Sequence, residues 1–503
     1  MSGDDRILVP GRTCWRIERA TRFALIIDAA EYFRLAKAAM LKAQHSVMLI
    51  GWDFDTRIAF EPEQQTLDGP NAVGEFLSWL PKERPALRIY VLKWDLGMIQ
   101  ALGRGMTPII IADWMTSTRL RFKLDGAHPP GSAHHQKIIV IDDAMAYCGG
   151  IDMTADRWDT PEHLDDDPRR TRPSGRLYDP WHDATTAIDG EAARALGDLA
   201  RDRWFRATAE RLDPPPRGAS DPWPSLLEPT MREVDVAIAR TLPELDDRET
   251  VREIKALYLE GIAQAKRTIY LESQYLASRA IAEALASRLA EPDGPEVVVV
   301  LPEKTLGWLE HGAMDGARVK LLRMLWRADV HHRFGAFYPV TAGGNPVYVH
   351  AKIMVIDDRL LRIGSSNLNN RSMGFDTECD LAVEVTADVA DGAQLRSTIL
   401  SIRANLLCEH LAVEPGVFTS ALATAAGSVL KTVASLRRPG RGTGRTLRPF
   451  EPAEVAEDES ILAENELIDP ELASPDLAGR LWTNLTSVLE GIRPRLLSRS
   501  TRR

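Results

Sequence analysis

Short apolar runs alternate along this chain with longer helical stretches. Ser46–Gly51 (SVMLIG), Leu87–Leu92, Lys137–Ile141, Thr268–Leu271, Glu296–Leu301 and Lys352–Ile356 read as strands. Ala29–Gln44, Gly190–Thr208, Arg248–Lys266 and Ala280–Leu289 read as helices. Strands and helices in alternation predict an α/β protein with helices packed on sheets. The pattern also repeats once. HQKIIVIDDAMAYCGGID at 135–152 parallels HAKIMVIDDRLLRIGSSN at 350–367, an offset of 215 residues. A helix-then-strand echo precedes each copy, AKAAMLKAQHSVMLIGWDF at 36–54 and YLEGIAQAKRTIYLESQYL at 258–276. A period this long is not that of a solenoid. The expected architecture is two similar α-β-α sandwich halves related by an approximate twofold, with the active site between them.

Proline-rich Leu212–Pro229 is the expected linker. The expected domains are an N-terminal segment at 1–20, a first half at 21–211, the linker at 212–229, a second half at 230–412 and a tail at 413–503. Asp159–Pro180 is expected to be a long loop. The tail is small and apolar over Val417–Leu430, then basic at Lys431, Arg437, Arg438, Arg441, Arg445 and Arg448. An acidic run from Glu451 to Glu471 follows, then a short amphipathic piece near Leu477–Leu489. Such a segment is either an anchor to anionic lipid or a partly disordered, solvated tail lying on its own molecule. Composition weighs toward the second.

Composition narrows the function. The 503 residues are 44% hydrophobic and 27% charged, with a net charge of −10. These are values of a globular chain, and the acidic balance speaks against a general nucleic-acid binder. Cys14, Cys148, Cys379 and Cys408 lie far apart, which disfavours a zinc site built on cysteines or a dense disulfide scaffold. No apolar window is long enough to span a membrane, and the first residues lack a signal-peptide core. A cytoplasmic or peripheral-membrane location follows as the expectation, with export by a route lacking such a peptide left open.

The chemistry sits in the repeat. Of 11 histidines, only His135 and His350 have a lysine two residues on, Lys137 and Lys352. Each also has an aspartate seven residues on, Asp142 or Asp357, and then a glycine at matching distance, Gly149 or Gly364. In an extended chain His-x-Lys places both side chains on one face. Imidazole serves as nucleophile or proton carrier, and lysine supplies positive charge for an anion. Two histidines and two lysines together suit a phosphate group, one imidazole attacking phosphorus and the other protonating the leaving oxygen. No metal or other cofactor is called for by this set. His331 and His332 could line a substrate-facing loop, but nothing in the sequence fixes them there.

H-x-K-x4-D present twice resembles the signature of the phospholipase D superfamily. GSSNLNNRSMGFDTECD after the second copy resembles that family's G-S-x-N block with a following acid. GGIDMTADRWDTPEH, the later PWHD and IYLESQYL resemble its eukaryotic-type, phosphatidylcholine-cleaving branch. The resemblance spans roughly residues 20–410. It implies a phosphodiesterase that cleaves glycerophospholipids at a membrane surface through a phosphohistidine, releasing phosphatidate and head group, with transfer to alcohols as a second outcome. It implies His135 as nucleophile and His350 as general acid then base, or the reverse, with Lys137, Lys352, Ser365 and Asn367 around the phosphate. Gly149 and Gly150 give room on the first side. Glu378, 28 residues after His350, is placed by the resemblance as the acid that orients that histidine through its other nitrogen, and Asp183 has the matching role in the first half. Asp142 and Asp357 complete the motif, more as turn residues than as reacting groups. A monomer without nucleic-acid partner is expected. A cardiolipin-synthase-like phosphatidyltransferase, a nuclease and a catalytically silent lipid-binding module are the alternatives. The intact pair of motifs opposes the last, and the acidic charge opposes the nuclease.

Overall fold

A computed structural model describes residues 6–95, 114, 117–218, 220–245, 248–306, 314–387, 391–440, 444–451 and 469–470. The first strands are β1 (Arg16–Ile27), β2 (Ser46–Gly51), β3 (Arg88–Trp94), β4 (Leu120–Asp125), β5 (Ile138–Ile141), β6 (Met145–Gly149), β7 (Trp181–His182) and β8 (Ala184–Asp189). They are followed by β9 (Met231–Leu242), β10 (Val251–Arg252), β11 (Thr268–Glu272), β12 (Glu296–Val300), β13 (Phe334–Val340), β14 (Tyr348–Val349), β15 (Ile353–Ile356), β16 (Leu360–Gly364), β17 (Glu378–Glu384) and β18 (Thr446–Pro449). The helices are α1 (Ala29–Met40), α2 (Val73–Glu83), α3 (Gly190–Thr208), α4 (Glu253–Gln264), α5 (Arg279–Ala290), α6 (Gly316–Ala328), α7 (Gly392–Leu411), α8 (Pro415–Thr424) and α9 (Val429–Leu436).

Sixteen strands join in one mixed sheet. From the central antiparallel pair β1–β9, the order outward is β8, β6, β5, β2, β3, β4 on one side. On the other it is β17, β16, β15, β11, β12, β13, β18. The apolar runs IIVI of β5 and IMVI of β15 are buried at every position, because both faces of the sheet are covered. Period-2 alternation divides their neighbours. Met48 and Ile50 join a core beneath α3 and α7, while Val47 and Leu49 join one beneath α1 and α2. A third core lies under α4, α5 and α6. The result is a mixed α/β fold with helices on both faces of the sheet.

Several elements differ in extent from the expectation. α1 stops at Met40 rather than Gln44, because the N–H groups of Gln44 and His45 bond to the Asp142 carboxylate, each at 2.7 Å. α4 begins at Glu253 rather than Arg248, because Val251 and Arg252 pair with β9 as β10. β1 begins at Arg16, so the first strand starts ahead of the expected boundary at 21. Asp159–Pro180 is a long loop of turns and bends, yet His163, Asp167 and Arg170 within it are buried. The described residues between 415 and 449 also fold onto the body. Phe418, Val429 and Val433 join the core under α7, and β18 pairs antiparallel with β13. Most of the acidic run and the Leu477–Leu489 piece lie outside the described residues. No helix among the described residues is long and apolar enough to cross a membrane.

Candidate active site

Two short connections between distant parts of the chain build the site. β7 pairs in parallel with β14, and the His350 N–H donates to the His182 carbonyl at 2.8 Å. His134 bridges to Thr377, and the His135 N–H donates to the Thr377 carbonyl at 2.9 Å. Each histidine is thereby set just ahead of its buried strand, β5 or β15, and beside a segment from the other copy's side of the chain.

The acids are crossed relative to the sequence expectation. Glu378, which follows His350, stands at His135: Nδ1 lies 3.0 Å from both carboxylate oxygens. Asp183, in the first half of the sequence, stands at His350, with Nδ1 to Oδ2 at 2.6 Å. A carboxylate at Nδ1 selects the tautomer with its proton there and leaves the lone pair on Nε2. Asp183 accepts a second bond from the Ala184 N–H at 2.8 Å. Glu378 is fully buried and receives the Ser365 hydroxyl on one oxygen and the Ser372 hydroxyl on the other, the latter at 2.6 Å. Burial pushes the Glu378 carboxyl up to about 8, against the pull of those two hydroxyls. Burial likewise raises Asp183.

The lysines share the space. Lys137 Nζ donates to the His135 carbonyl at 2.8 Å and pairs with Asp152 at 3.1 Å. Lys352 Nζ donates to the His350 carbonyl, and burial lowers it to about 7. Both imidazoles are held well below the ordinary histidine value, first by burial and then by both lysines. That each histidine feels both ammonium groups marks the two motifs as one site. Neither Nε2 bonds to a protein group among the described residues. Two neutral imidazoles with free Nε2 lone pairs, beside two ammonium groups, can receive an anion and pass protons to and from it. Gly150 seals the junction: a Cβ there would lie 2.2 Å from Asp183 Oδ1 and 3.3 Å from Lys352 Cδ. A Cβ on Gly149 would lie 2.4 Å from the Thr185 backbone, so that glycine permits strand approach and not ligand room.

Three further expectations change. Asp142 and Asp357, carried in the candidate catalytic set, lie at the far ends of β5 and β15, so a four-residue strand of about 13 Å separates each from its histidine's end. Their carboxylates accept backbone N–H groups instead, as described in the Discussion. Ser365 spends its hydroxyl on Glu378 and receives the Cys379 N–H at 3.0 Å, so it holds the acid and not a phosphate. Asn367 is buried, with its amide 3.4 Å from Gln274 Oε1 and its own Oδ1 unbonded. His331 and His332 are exposed in the turn before β13.

Some site residues received no role from the sequence. Arg157 lies over the Trp181 ring at 4.2 Å, and Trp181 stacks on Tyr348 at 4.6 Å and sits 5.1 Å from His350. Arg157 adds to the charge that keeps His350 neutral. Arg157 and Trp181 lie within the RWD and PWHD phrases, which were the available signal. Ser372 carried none, because its reach to Glu378 depends on a single π-helical turn at Arg371–Phe375.

A family described as "Cardiolipin synthase, PLD-like domain" matches residues 258–395, which include His350, Lys352 and Glu378. Phospholipase D A of Dictyostelium discoideum is 23% identical over 477 residues, covering 78% of this chain and 36% of that protein. Phospholipase D1 of Schizosaccharomyces pombe is 24% identical over 381 residues, covering 57% and 28%. Phospholipase D alpha 1 of Nicotiana tabacum is 22% identical over 511 residues, covering 74% and 63%. Residues 258–395 thus match a phospholipase D-like family description, and the chain as a whole is similar to phospholipases D. The chain spans only 28% to 63% of the length of these curated relatives. The fold is also similar to that of a solved structure, the phosphatidylserine synthase of Haemophilus influenzae. The TM-score is 0.55 at 12% identity, over 83% of this chain and 96% of that one.

Proposed function

We propose that this protein moves the phosphatidyl group of a glycerophospholipid from its head group to an acceptor alcohol through a phosphohistidine, with water as the competing acceptor. The observation that carries this is the crossed pair, His135 with Glu378 and His350 with Asp183, beside Lys137 and Lys352. His135 Nε2 attacks phosphorus as the bond to the head-group oxygen breaks; His350, neutral in the empty site, takes up a proton from solvent as the bound phosphate anion offsets the neighbouring cationic charge, and gives that proton to the leaving oxygen. His350 then takes the proton of the acceptor hydroxyl, the new P–O bond forms and the P–N bond breaks. Lys137 and Lys352 hold the non-bridging oxygens, and no step requires a metal. The match to a cardiolipin-synthase description favours alcohol. The names of the curated relatives favour water, which is the second reading. The RWD and PWHD segments support a place near the phosphatidylcholine-cleaving branch. The mirrored strand order outward from β1–β9 supports two halves related by a pseudo-twofold, meeting at the site.

The test uses purified protein, vesicles of mixed phospholipids and a primary alcohol, with products followed by mass spectrometry. Free head group and phosphatidyl-alcohol are expected, both lost in His135→Asn and in His350→Asn. Phosphatidate alone, at any alcohol concentration, replaces transfer by hydrolysis. No turnover of lipid in vesicles the protein binds overturns the proposal.

A further inference from the structure

Behind His350 lies a second cluster of histidines and carboxylates that the chemistry above does not use. Asp28 precedes α1, His163 sits in the long loop, His182 is in β7 and Glu409 is near the end of α7. Asp28, His163 and His182 are each buried to about 99% or more, and Glu409 is partly covered. Two ring nitrogens, one Glu409 oxygen and both Asp28 oxygens converge there. His163 Nε2 is 3.3 Å from Glu409 Oε1 and 3.8 Å from Asp28 Oδ2. His182 Nδ1 is 2.7 Å from Glu409 Oε1 and 3.5 Å from Asp28 Oδ1.

Two features point to an ion rather than to ordinary ion pairs. The first is want of partners. Asp28 Oδ2 and His182 Nδ1 are buried and aimed into the cluster, yet neither closes an aligned hydrogen bond, and His182 Nδ1 meets Glu409 Oε1 at 2.7 Å and Asp28 Oδ1 at 3.5 Å only at ion-pair distance. Buried polar atoms are otherwise nearly always bonded. The second is the outer ring of contacts. His163 turns its other nitrogen, Nδ1, to Asp159 at 2.9 Å, and His182 turns Nε2 to Glu272 at 2.8 Å. Metal-bound histidines characteristically donate their remaining N–H to a carboxylate in this way. Asp159 is in turn paired with Arg170 at 3.1 Å, and Glu272 with His410 at 3.1 Å and the Tyr270 hydroxyl.

We propose that Asp28, His163, His182 and Glu409 form a structural site for a divalent transition-metal ion, with Zn²⁺ as its first candidate. Two imidazoles and two carboxylates are a usual ligand set for that ion. Four ligands at zinc distances stand about 3.3 Å apart along a tetrahedral edge. The observed separations of 2.7 to 3.8 Å bracket that value. The ion would tie the start of α1, the long loop, β7 and α7 into one knot. That knot adjoins the active site: the Asp28 N–H donates to the Asp183 carbonyl at 2.8 Å, and Asp28 Oδ1 accepts the Asp183 N–H at 3.1 Å. The role is to hold Asp183, and through it His350, and not to take part in phosphoryl transfer. The inference stands whatever substrate the active site takes.

The test measures metal in the full-length protein purified without chelator from zinc-replete cells, and its melting temperature after unfolding and refolding with Zn²⁺ or with EDTA. About one equivalent of zinc per chain is expected, with a melting temperature several degrees higher after refolding in Zn²⁺ than in EDTA. His163→Gln, checked for folding by circular dichroism, is expected to lose the metal and the Zn²⁺ dependence. His331→Ala with His332→Ala, which removes the exposed histidine pair, is expected to keep both. Wild-type protein free of metal, with identical melting in Zn²⁺ and EDTA, overturns the site in favour of protonated imidazoles bridging the carboxylates. So does a folded His163→Gln variant that keeps its zinc.

Discussion

Glu378 and Lys352 show how burial alone can tune a site of ordinary side chains. The carboxyl is pushed up to about 8 and the ammonium down to about 7, both chiefly by loss of water. Desolvation disfavours the charged form of each. The consequence for Lys352 has a definite sign. Below about pH 7 the free enzyme carries the ammonium that an anionic phosphate needs, and above it that charge is lost. We therefore expect kcat/KM to fall as pH rises above about 7, toward tenfold per unit, because that ratio reports the free enzyme. The same limb should be weaker in kcat, since a bound phosphate anion keeps the lysine charged. A kcat/KM profile flat between about pH 6 and 9 would count against Lys352 as a binding cation. The histidines and lysines were legible as single residues because their spacing repeats. Ser372 and Arg157 were not, since their roles come from contacts and not from spacing.

At the scale of elements, the aspartates of the repeat explain why the motif has its length. Asp142 and Asp357 each take a left-handed backbone, φ 52° and 53°, in the turn after the buried strand. Aspartate tolerates that conformation better than most residues. From there Asp142 accepts the N–H groups of Gln44, His45 and Ser46, each at 2.7 Å. Asp357 accepts those of Lys266, Arg267 and Thr268 at 2.9, 2.7 and 2.8 Å. Each carboxylate thus fixes the entry of the neighbouring strand, β2 or β11, against the strand that carries the His-x-Lys. Asp357→Ala leaves these donors without their charged acceptor. It is expected to cost about 3 kcal/mol in urea unfolding. Turnover per folded molecule should stay within about threefold of wild type, because the histidines are untouched. A loss of turnover of about 10³-fold at unchanged stability would instead return Asp357 to the reacting groups. Strand and helix existence was legible from the apolar runs. Element ends were not, because Asp142 reaches the end of α1 from 98 residues along the chain and the β9–β10 pairing draws Val251 and Arg252 out of α4.

Across the whole molecule, the sheet runs unbroken through its central pair, and the site depends on contacts that span it. His135 meets its acid 243 residues away, and His350 meets its own 167 residues away. A repeat in one sequence shows that two copies exist, but not which acid serves which histidine. That is why a pairing within each half was the natural expectation and the crossed one emerged only in three dimensions. The arrangement predicts complementation. The chain divided within the 212–229 linker should give two pieces, neither of which turns over lipid alone, and activity should return when they are produced together. Turnover by either piece alone would contradict the crossed supports.

The crossed acids also bear on how such a chain is inherited. A change at Asp183 is a lesion in the first half that is felt by the second half's histidine, and a change at Glu378 does the converse. Neither half can therefore drift, be exchanged or be repaired on its own account. Asp152 in one copy and Asn367 in the other stay on their own sides, Asp152 with Lys137 at 3.1 Å and Asn367 with Gln274 at 3.4 Å, which leaves each free to differ. The histidine–acid couples have no such freedom, so selection acts on them as a single lineage written in two places.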